Sequence, residues 1–183
     1  MKDRNYLQEA KIFFASGQLE KSIDYFTLAE NEGYDIIDIC LSRGAAAMAL
    51  GQYAAAEKDF TRGLLEDEDN ERAHYFRGIA LVALGDYEKA IADLTFSLIR
   101  NNNRGIAHIA RGLAYGELGN NRDAALDFNT ASAFSDAELQ SFKKLFGNIP
   151  NPFNNSKALL AKENAPWNNL LSRDAAKKLF NML

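Results

Sequence analysis

The sequence predicts an all-α solenoid: four helix-turn-helix hairpins in tandem, with capping helices at the C-terminal end. Three observations point there. Glycines recur with a period of 34 residues, at Gly17, Gly51, Gly85 and Gly119 and again at Gly44, Gly78 and Gly112. Small and bulky side chains recur at fixed places within that period. The period stops where the prolines begin, all three of them beyond residue 149. A repeat of this length marks stacked supersecondary units, each unable to bury its apolar face alone.

Counting from residue 3 gives four units, 3–36, 37–70, 71–104 and 105–138, followed by an extension over 139–183. Position 20 of the units holds Ser22, Ala56, Ala90 and Ala124, and position 27 holds Ala29, Gly63, Ser97 and Ala131. Position 24 is bulky: Phe26, Phe60, Leu94 and Phe128. Position 17 opens the second half of each unit with Leu19, Tyr53, Tyr87 or Asn121. Apolar and small residues at helical spacing, with a glycine between the two halves, read as helix, turn, helix. Gly44, Gly78 and Gly112 fall inside the first helix, where glycine costs about 1 kcal/mol relative to alanine. The expected compensation is close approach of the second helix through the small residue at position 20. Position 27 is expected to let the second helix meet the first helix of the next unit.

After the repeats, residues 136–146 read as one more first helix, with Phe142 and Leu145 in phase. Phe146 stands where a small residue is required, so no standard second helix can pack there. Gly147 can cap that helix, and Pro150 and Pro152 stop it. An irregular connector over 148–155 is followed by a short helix from Ser156 to Glu163. Ser172 can cap a last helix running to about residue 182, with Ala175, Ala176, Leu179, Phe180 and Leu183 on its apolar side. An open array end needs a cover, and this extension is expected to provide it.

The spacing, and above all the run from Arg77 to Ile91 (Arg-Gly-Ile-Ala-Leu-Val-Ala-Leu-Gly-Asp-Tyr-Glu-Lys-Ala-Ile), resembles the tetratricopeptide repeat, a helix-turn-helix unit of 34 residues. The resemblance covers about three-quarters of the chain. The family's proline near position 32 is replaced by Tyr34, Glu68, Asn102 and Asp136. Ala10 stands where later units have glycine, and Asn121 where an aromatic is usual. The resemblance implies a right-handed superhelix whose concave face is lined by the first helices, and a role in binding other proteins.

Composition bounds the function. The chain has 183 residues, 47% hydrophobic and 25% charged, with a net charge of −4. It can bury a core, and it lacks the basic excess expected of a nucleic-acid binder. The single Cys40 forms no internal disulfide and builds no zinc site alone. The residues from Met1 to Leu7 carry no apolar run, and no stretch approaches the roughly 20 apolar residues of a membrane span. A cytoplasmic protein with no membrane partner is expected.

Position 4 of the units holds Tyr6, Cys40, His74 and His108, with Phe142 next in phase. Cys and two His in register raise the idea of a metal row, yet Tyr and Phe share the slot, so it reads as a packing position. No metal, cofactor or catalytic residue is expected. Position 7 holds Arg43, Arg77 and Arg111, and position 23 holds Asp59, Asp93 and Asp127. The first unit lacks both, carrying Glu9 and Tyr25. Their joint presence and absence predict Arg–Asp pairing within a unit or between neighbours, in preference to a guanidinium ladder for an anionic ligand. The acidic run Glu66-Asp67-Glu68-Asp69 reads as a solvated edge that also favours the next helix N-terminus.

By the family resemblance, the concave surface comes from positions 2, 5, 9, 12 and 13. Mapped here it is charged at its start, with Arg4, Lys11 and Asp38, and largely apolar along its second half. The candidate peptide-binding residues are Leu41, Met48, Arg72, Tyr75, Phe76, Ile79, Val82, Ile106, Ile109 and Leu113. The family's clamp for a terminal carboxylate is not expected, because its places hold Leu7, Lys11, Ser42, Arg72 and Phe76. The expected function is a non-catalytic scaffold that binds a helical or extended peptide of a partner protein. The alternative is a structural self-association or self-occluded module, its groove filled by residues 156–183 of the same chain or of a second copy, which allows a homo-oligomer.

Overall fold

The computed structural model describes residues 5–134, 140, 141, 144, 157–161, 171 and 173–182. Eight helices alternate along the first two-thirds of the chain: α1 (Tyr6–Ala15), α2 (Leu19–Asn31), α3 (Ile36–Ala49), α4 (Tyr53–Glu66), α5 (Glu71–Leu84), α6 (Tyr87–Arg100), α7 (Gly105–Glu117) and α8 (Asn121–Ala131). A ninth, α9, spans Arg173–Met182. Each odd-numbered helix from α1 to α7 packs on the helix that follows it, and each pair packs on the next, giving the tandem array the period predicts.

Local chemistry sets the helix ends. Asn5, Asp35 and Asn70 accept hydrogen bonds from the backbone N–H of Gln8, Asp38 and Ala73, capping α1, α3 and α5. The first helices end at the first glycine series. Gly85 adopts φ +81°, and the N–H of Asp86 returns to the carbonyl of Leu81 at 3.0 Å. An L side chain is strained in that left-handed conformation, which is why glycine recurs at the turn. Position 17 then begins each second helix.

The second glycine series is explained by packing. A Cβ on Gly44 would lie 2.6 Å from the ring of Phe60, and one on Gly78 2.7 Å from Cγ of Leu94. On Gly112 it would meet Phe128 at 2.9 Å and the carbonyl oxygen of Ala124 at 3.2 Å. The bulky residue at position 24 therefore fills the notch, and at Gly112 the backbone of position 20, Ala124, also closes in. At position 27, Ala29 joins Ile39 of the next hairpin in one apolar cluster, while Gly63 faces Cβ of Cys40 at 3.5 Å and Ser97 donates to Glu71 at 2.5 Å, each within its own hairpin.

The core is two clusters. A small one joins Ala10, Phe26, Ala29 and Ile39. A large one runs from Ala47 through Phe60, Ile79, Leu94, Ile109 and Phe128 to Leu159, Leu171 and Leu179. α9 packs on α8 at the end of the stack, with Leu179 fully buried, Ala175 and Ala176 half-buried, and Phe180 39% exposed beneath Lys157. The last helix thus forms where expected, although Ser172 and Leu183 lie outside the described residues. Residues 157–160 are helical inside the short helix predicted from Ser156 to Glu163, whose two ends lie outside the described residues. Of the helix predicted over 136–146, residues 140, 141 and 144 are helical, while Phe142, Leu145 and Phe146 lie outside the described residues, as do Gly147, Pro150 and Pro152. Among the described residues, no helix is long and apolar enough to cross a membrane.

Candidate functional site

Two features organise the array: a ladder of buried charge between the helices, and a pocket on the inner face. In the ladder, Arg43 forks onto Asp59 with bonds of 2.9 and 2.6 Å. Arg77 does so onto Asp93 at 2.6 and 2.8 Å, and Arg111 onto Asp127 at 2.8 Å twice. The pairing predicted from positions 7 and 23 is therefore within one hairpin. The third guanidinium nitrogen reaches back to the preceding hairpin, donating to Thr27, Thr61 or Thr95. Each arginine thus ties two hairpins together. At the first junction Arg43 also bonds Glu30, which pairs with Arg62 as well. Burial opposes the charge on Glu30, but the bonds from Arg43 and Arg62 outweigh it and hold the carboxyl below its ordinary range.

Position 4 faces position 23 in this register. Nδ1 of His74 lies 2.7 Å from Asp93, and Nδ1 of His108 lies 2.8 Å from Asp127. In the first hairpin, which lacks the ion pair, Tyr6 and Phe13 instead pack edge-on against Tyr25. Cys40 takes the slot in the second, where burial first and then Asp59 push its thiol up to about 11. The packing reading of the slot omitted this pairing, because the histidine and its aspartate are 19 residues apart on different helices. The recurrence of Thr at position 25 was the signal for the third arm. Among the described residues, no three His, Cys, Asp or Glu side chains are placed to hold a metal ion.

A second bridge ties the start of α7 to the start of α5. Arg104 forks onto Glu71 at 2.6 and 2.7 Å, and its guanidinium lies over the ring of Tyr75. Burial disfavours the charged Glu71, but the bonds from Arg104 and Ser97 prevail and hold its carboxyl below the ordinary value of 4.5. A carboxyl depressed on folding contributes stability that is complete above its unfolded pKa and is lost as pH falls through the folded value. Urea titrations are therefore expected to show stability declining below about pH 4.5, with Glu71→Gln less stable at pH 7 and flatter through the acid limb. An unchanged acid slope in the variant would mean that Glu71 takes no part.

The acidic run behaves as a partly engaged edge. Asp69 pairs with Arg100, Asp67 accepts from Asn70, and the backbone carbonyl of Glu68 faces Nε2 of His74.

On the inner face, a pocket of about 180 Å³ opens between α1, α3 and α5. Its walls are Lys11, Phe14, Leu41, Ser42, Ala45, Arg72 and Phe76, with Phe26 behind them. Three of the ten candidate residues, Leu41, Arg72 and Phe76, are brought together here. The other seven are not exposed as the sequence led us to expect. Met48, Tyr75, Ile79, Val82, Ile106, Ile109 and Leu113 are at most 7% exposed and belong to the large core cluster. Lys11 and Phe14, absent from the candidate set, belong to the pocket, and their positions 9 and 12 were the available signal.

Residues 71–95 match the family model of the tetratricopeptide repeat. The chain folds as an array of tetratricopeptide-like hairpins. No curated protein matches the sequence. Among solved structures, the array resembles a crystal structure of MamA, with a TM-score of 0.68 at 17% identity over 94% of this chain and 91% of that one. It also resembles TTC0263, described as a thermophilic tetratricopeptide-repeat protein of Thermus thermophilus, with a TM-score of 0.60 at 18% identity over 97% of each chain. A second MamA crystal structure aligns with a TM-score of 0.66 at 18% identity over 97% of this chain and 87% of that one. These likenesses concern the fold.

The residues of this tetratricopeptide-like array at the places expected for a carboxylate clamp are partly committed elsewhere. Lys11 donates to Asp38 at 2.6 Å, and Asp38 lies 3.4 Å from the hydroxyl of Ser42. Phe76 is stacked on Phe60 at a centroid distance of 5.7 Å. Arg72, exposed on α5, is the clamp-like cation that no described residue bonds. The pocket is thus an apolar recess with one available positive charge at its rim.

Proposed function

We propose that this protein is a non-catalytic protein-interaction scaffold, and that it takes an apolar anchor of a helical or extended partner segment into the inner-face pocket. The observation that carries this reading is the pocket itself, built from the first helices of three successive repeats. At about 180 Å³ it is smaller than the roughly 300–1,000 Å³ typical of small-molecule sites, a size suited to one bulky side chain. Phe14, Leu41, Ala45 and Phe76 supply apolar contact, and Arg72 favours an acidic group beside the anchor. The imidazoles of His74 and His108 face aspartates within the stack, which supports a structural role for them over a catalytic one.

A random peptide library displayed on phage and panned on the full chain tests this. Selected peptides, read by fluorescence anisotropy, are expected to lose about tenfold or more in affinity for Leu41→Lys and for Arg72→Glu, as loss of a central anchor or its charge partner does. Leu65→Ser, on an outer surface at 81% exposure, is expected to bind as the parent chain does. Equal binding by all three variants would remove the pocket from the reading.

A further inference from the structure

The rim of the inner-face pocket carries charges that are not equivalent. Lys11 of α1 and Arg72 of α5 are both exposed and both line the recess. Arg72 is bonded by no described residue, and its acidic neighbour Glu71 is held by the fork of Arg104. Lys11 is differently placed. Its Nζ donates to one carboxylate oxygen of Asp38 on α3 at 2.6 Å, and the other oxygen lies 3.4 Å from the hydroxyl of Ser42, a third wall residue. Asp38 therefore stands beside the wall between α1 and α3, in contact with two of its lining side chains. The Lys11–Asp38 pair is 50% and 43% exposed, so it adds little to stability. Its effect falls on what the pocket accepts. An anion that reaches Lys11 also meets Asp38, and attraction and repulsion nearly cancel. An anion at Arg72 meets only Glu71, whose charge Arg104 already balances. Asp38 and Arg72 hold position 2 of successive repeats, so the charge of the inner face changes sign within one repeat.

We infer that Asp38 is the specificity-determining residue of this pocket. It selects a partner segment whose bulky apolar anchor carries an acidic residue on one side only. That side is directed to Arg72 on α5, and an uncharged or basic residue faces α1 and α3. The inference rests on reading the pocket as a peptide site. It fixes two properties that the pocket alone leaves open: the charge pattern of the segment, and the direction in which it runs across the repeats. The physical cause is that an unlike charge is cancelled where Asp38 already neutralises the cation, while a free guanidinium keeps its full attraction.

Peptides selected by phage panning on the full chain are the probe, and each is synthesised in two forms: as selected, and with a second acidic residue on the opposite side of its apolar anchor. The selected forms are expected to carry one acid beside the anchor. The added acid is expected to weaken binding to the parent chain by about threefold, and to strengthen binding to Asp38→Asn by about threefold or more, because Lys11 is then unopposed. Adding Lys11→Gln to Asp38→Asn is expected to abolish that gain, which locates it at the lysine. Both side chains are surface-exposed and asparagine has the shape of aspartate, so the variants keep the fold, as their thermal midpoints check. A second acid that changes binding equally in the parent and in Asp38→Asn overturns the inference and leaves the pocket reading standing. So do selected peptides with acids on both sides of the anchor. Unchanged binding by Leu41→Lys removes the pocket reading instead, and this inference with it.

Discussion

Asp93→Ala is expected to lower the unfolding free energy by about 3 kcal/mol, the lower end of the range for breaking a buried pair from one side. The carboxylate is 7% exposed and accepts two bonds from Arg77 and one contact from His74. Its loss strands a guanidinium that is 22% exposed and an imidazole that is 14% exposed. Arg77 keeps its bond to Thr61 and some water, which holds the cost at the lower end. Equilibrium urea unfolding measures it. A loss below about 1 kcal/mol would show that the ladder does not hold the third hairpin together. Adding Arg77→Leu to Asp93→Ala is expected to restore part of the stability, because the penalty lies in the orphaned charge more than in the missing attraction. Breaking the exposed Lys89–Asp86 pair is expected to leave the midpoint where it is.

Gly44→Ala and Gly63→Ala are expected to move stability in opposite directions, although both are the same exchange inside a helix. Helix propensity favours alanine by about 1 kcal/mol at either site. At Gly44 the new Cβ would sit 2.6 Å from Cε1 and 2.8 Å from Cζ of Phe60, whose ring is fully buried and stacked on Phe76. The ring has no solvent side to move into, so overpacking outweighs propensity and the net cost is about 2 kcal/mol. At Gly63 the nearest atom is Cβ of Cys40 at 3.5 Å, an ordinary contact, so most of the propensity gain survives. Thermal and urea midpoints of the two variants decide the matter. Shifts of the same sign would mean that the notch over Phe60 is not what demands glycine at position 8.

The contrast shows how far a periodic pattern can be read. The glycine series marked two positions where a side chain is unwelcome, but not the reason at each. Gly85 is dictated by backbone conformation, which is local, and its place between the halves of a unit was enough to read it as a turn. Gly44 is dictated by a ring sixteen residues away, and the sequence reading did not name position 24 as the residue that fills the notch. The Arg–Asp ladder was legible because both members come and go together along the chain. The aspartate contacts of His74 and His108 were not, since the slot they share also accepts Tyr and Cys.

The same limit separates the open half of the inner face from the closed half. Helical periodicity, capping residues, turn glycines and the covariation of Arg with Asp are interactions within a repeat or between adjacent repeats, so one chain written four times displays them. They determined the hairpins, their order and the charges between them. Whether Ile79, Ile106, Ile109 and Leu113 face water depends on how the surrounding chain closes over them, and they are at most 2% exposed in the large core cluster. An apolar side chain has the same appearance in sequence whether it waits for a guest or is already covered. That distinction was made only when tertiary packing placed those side chains in the large core cluster.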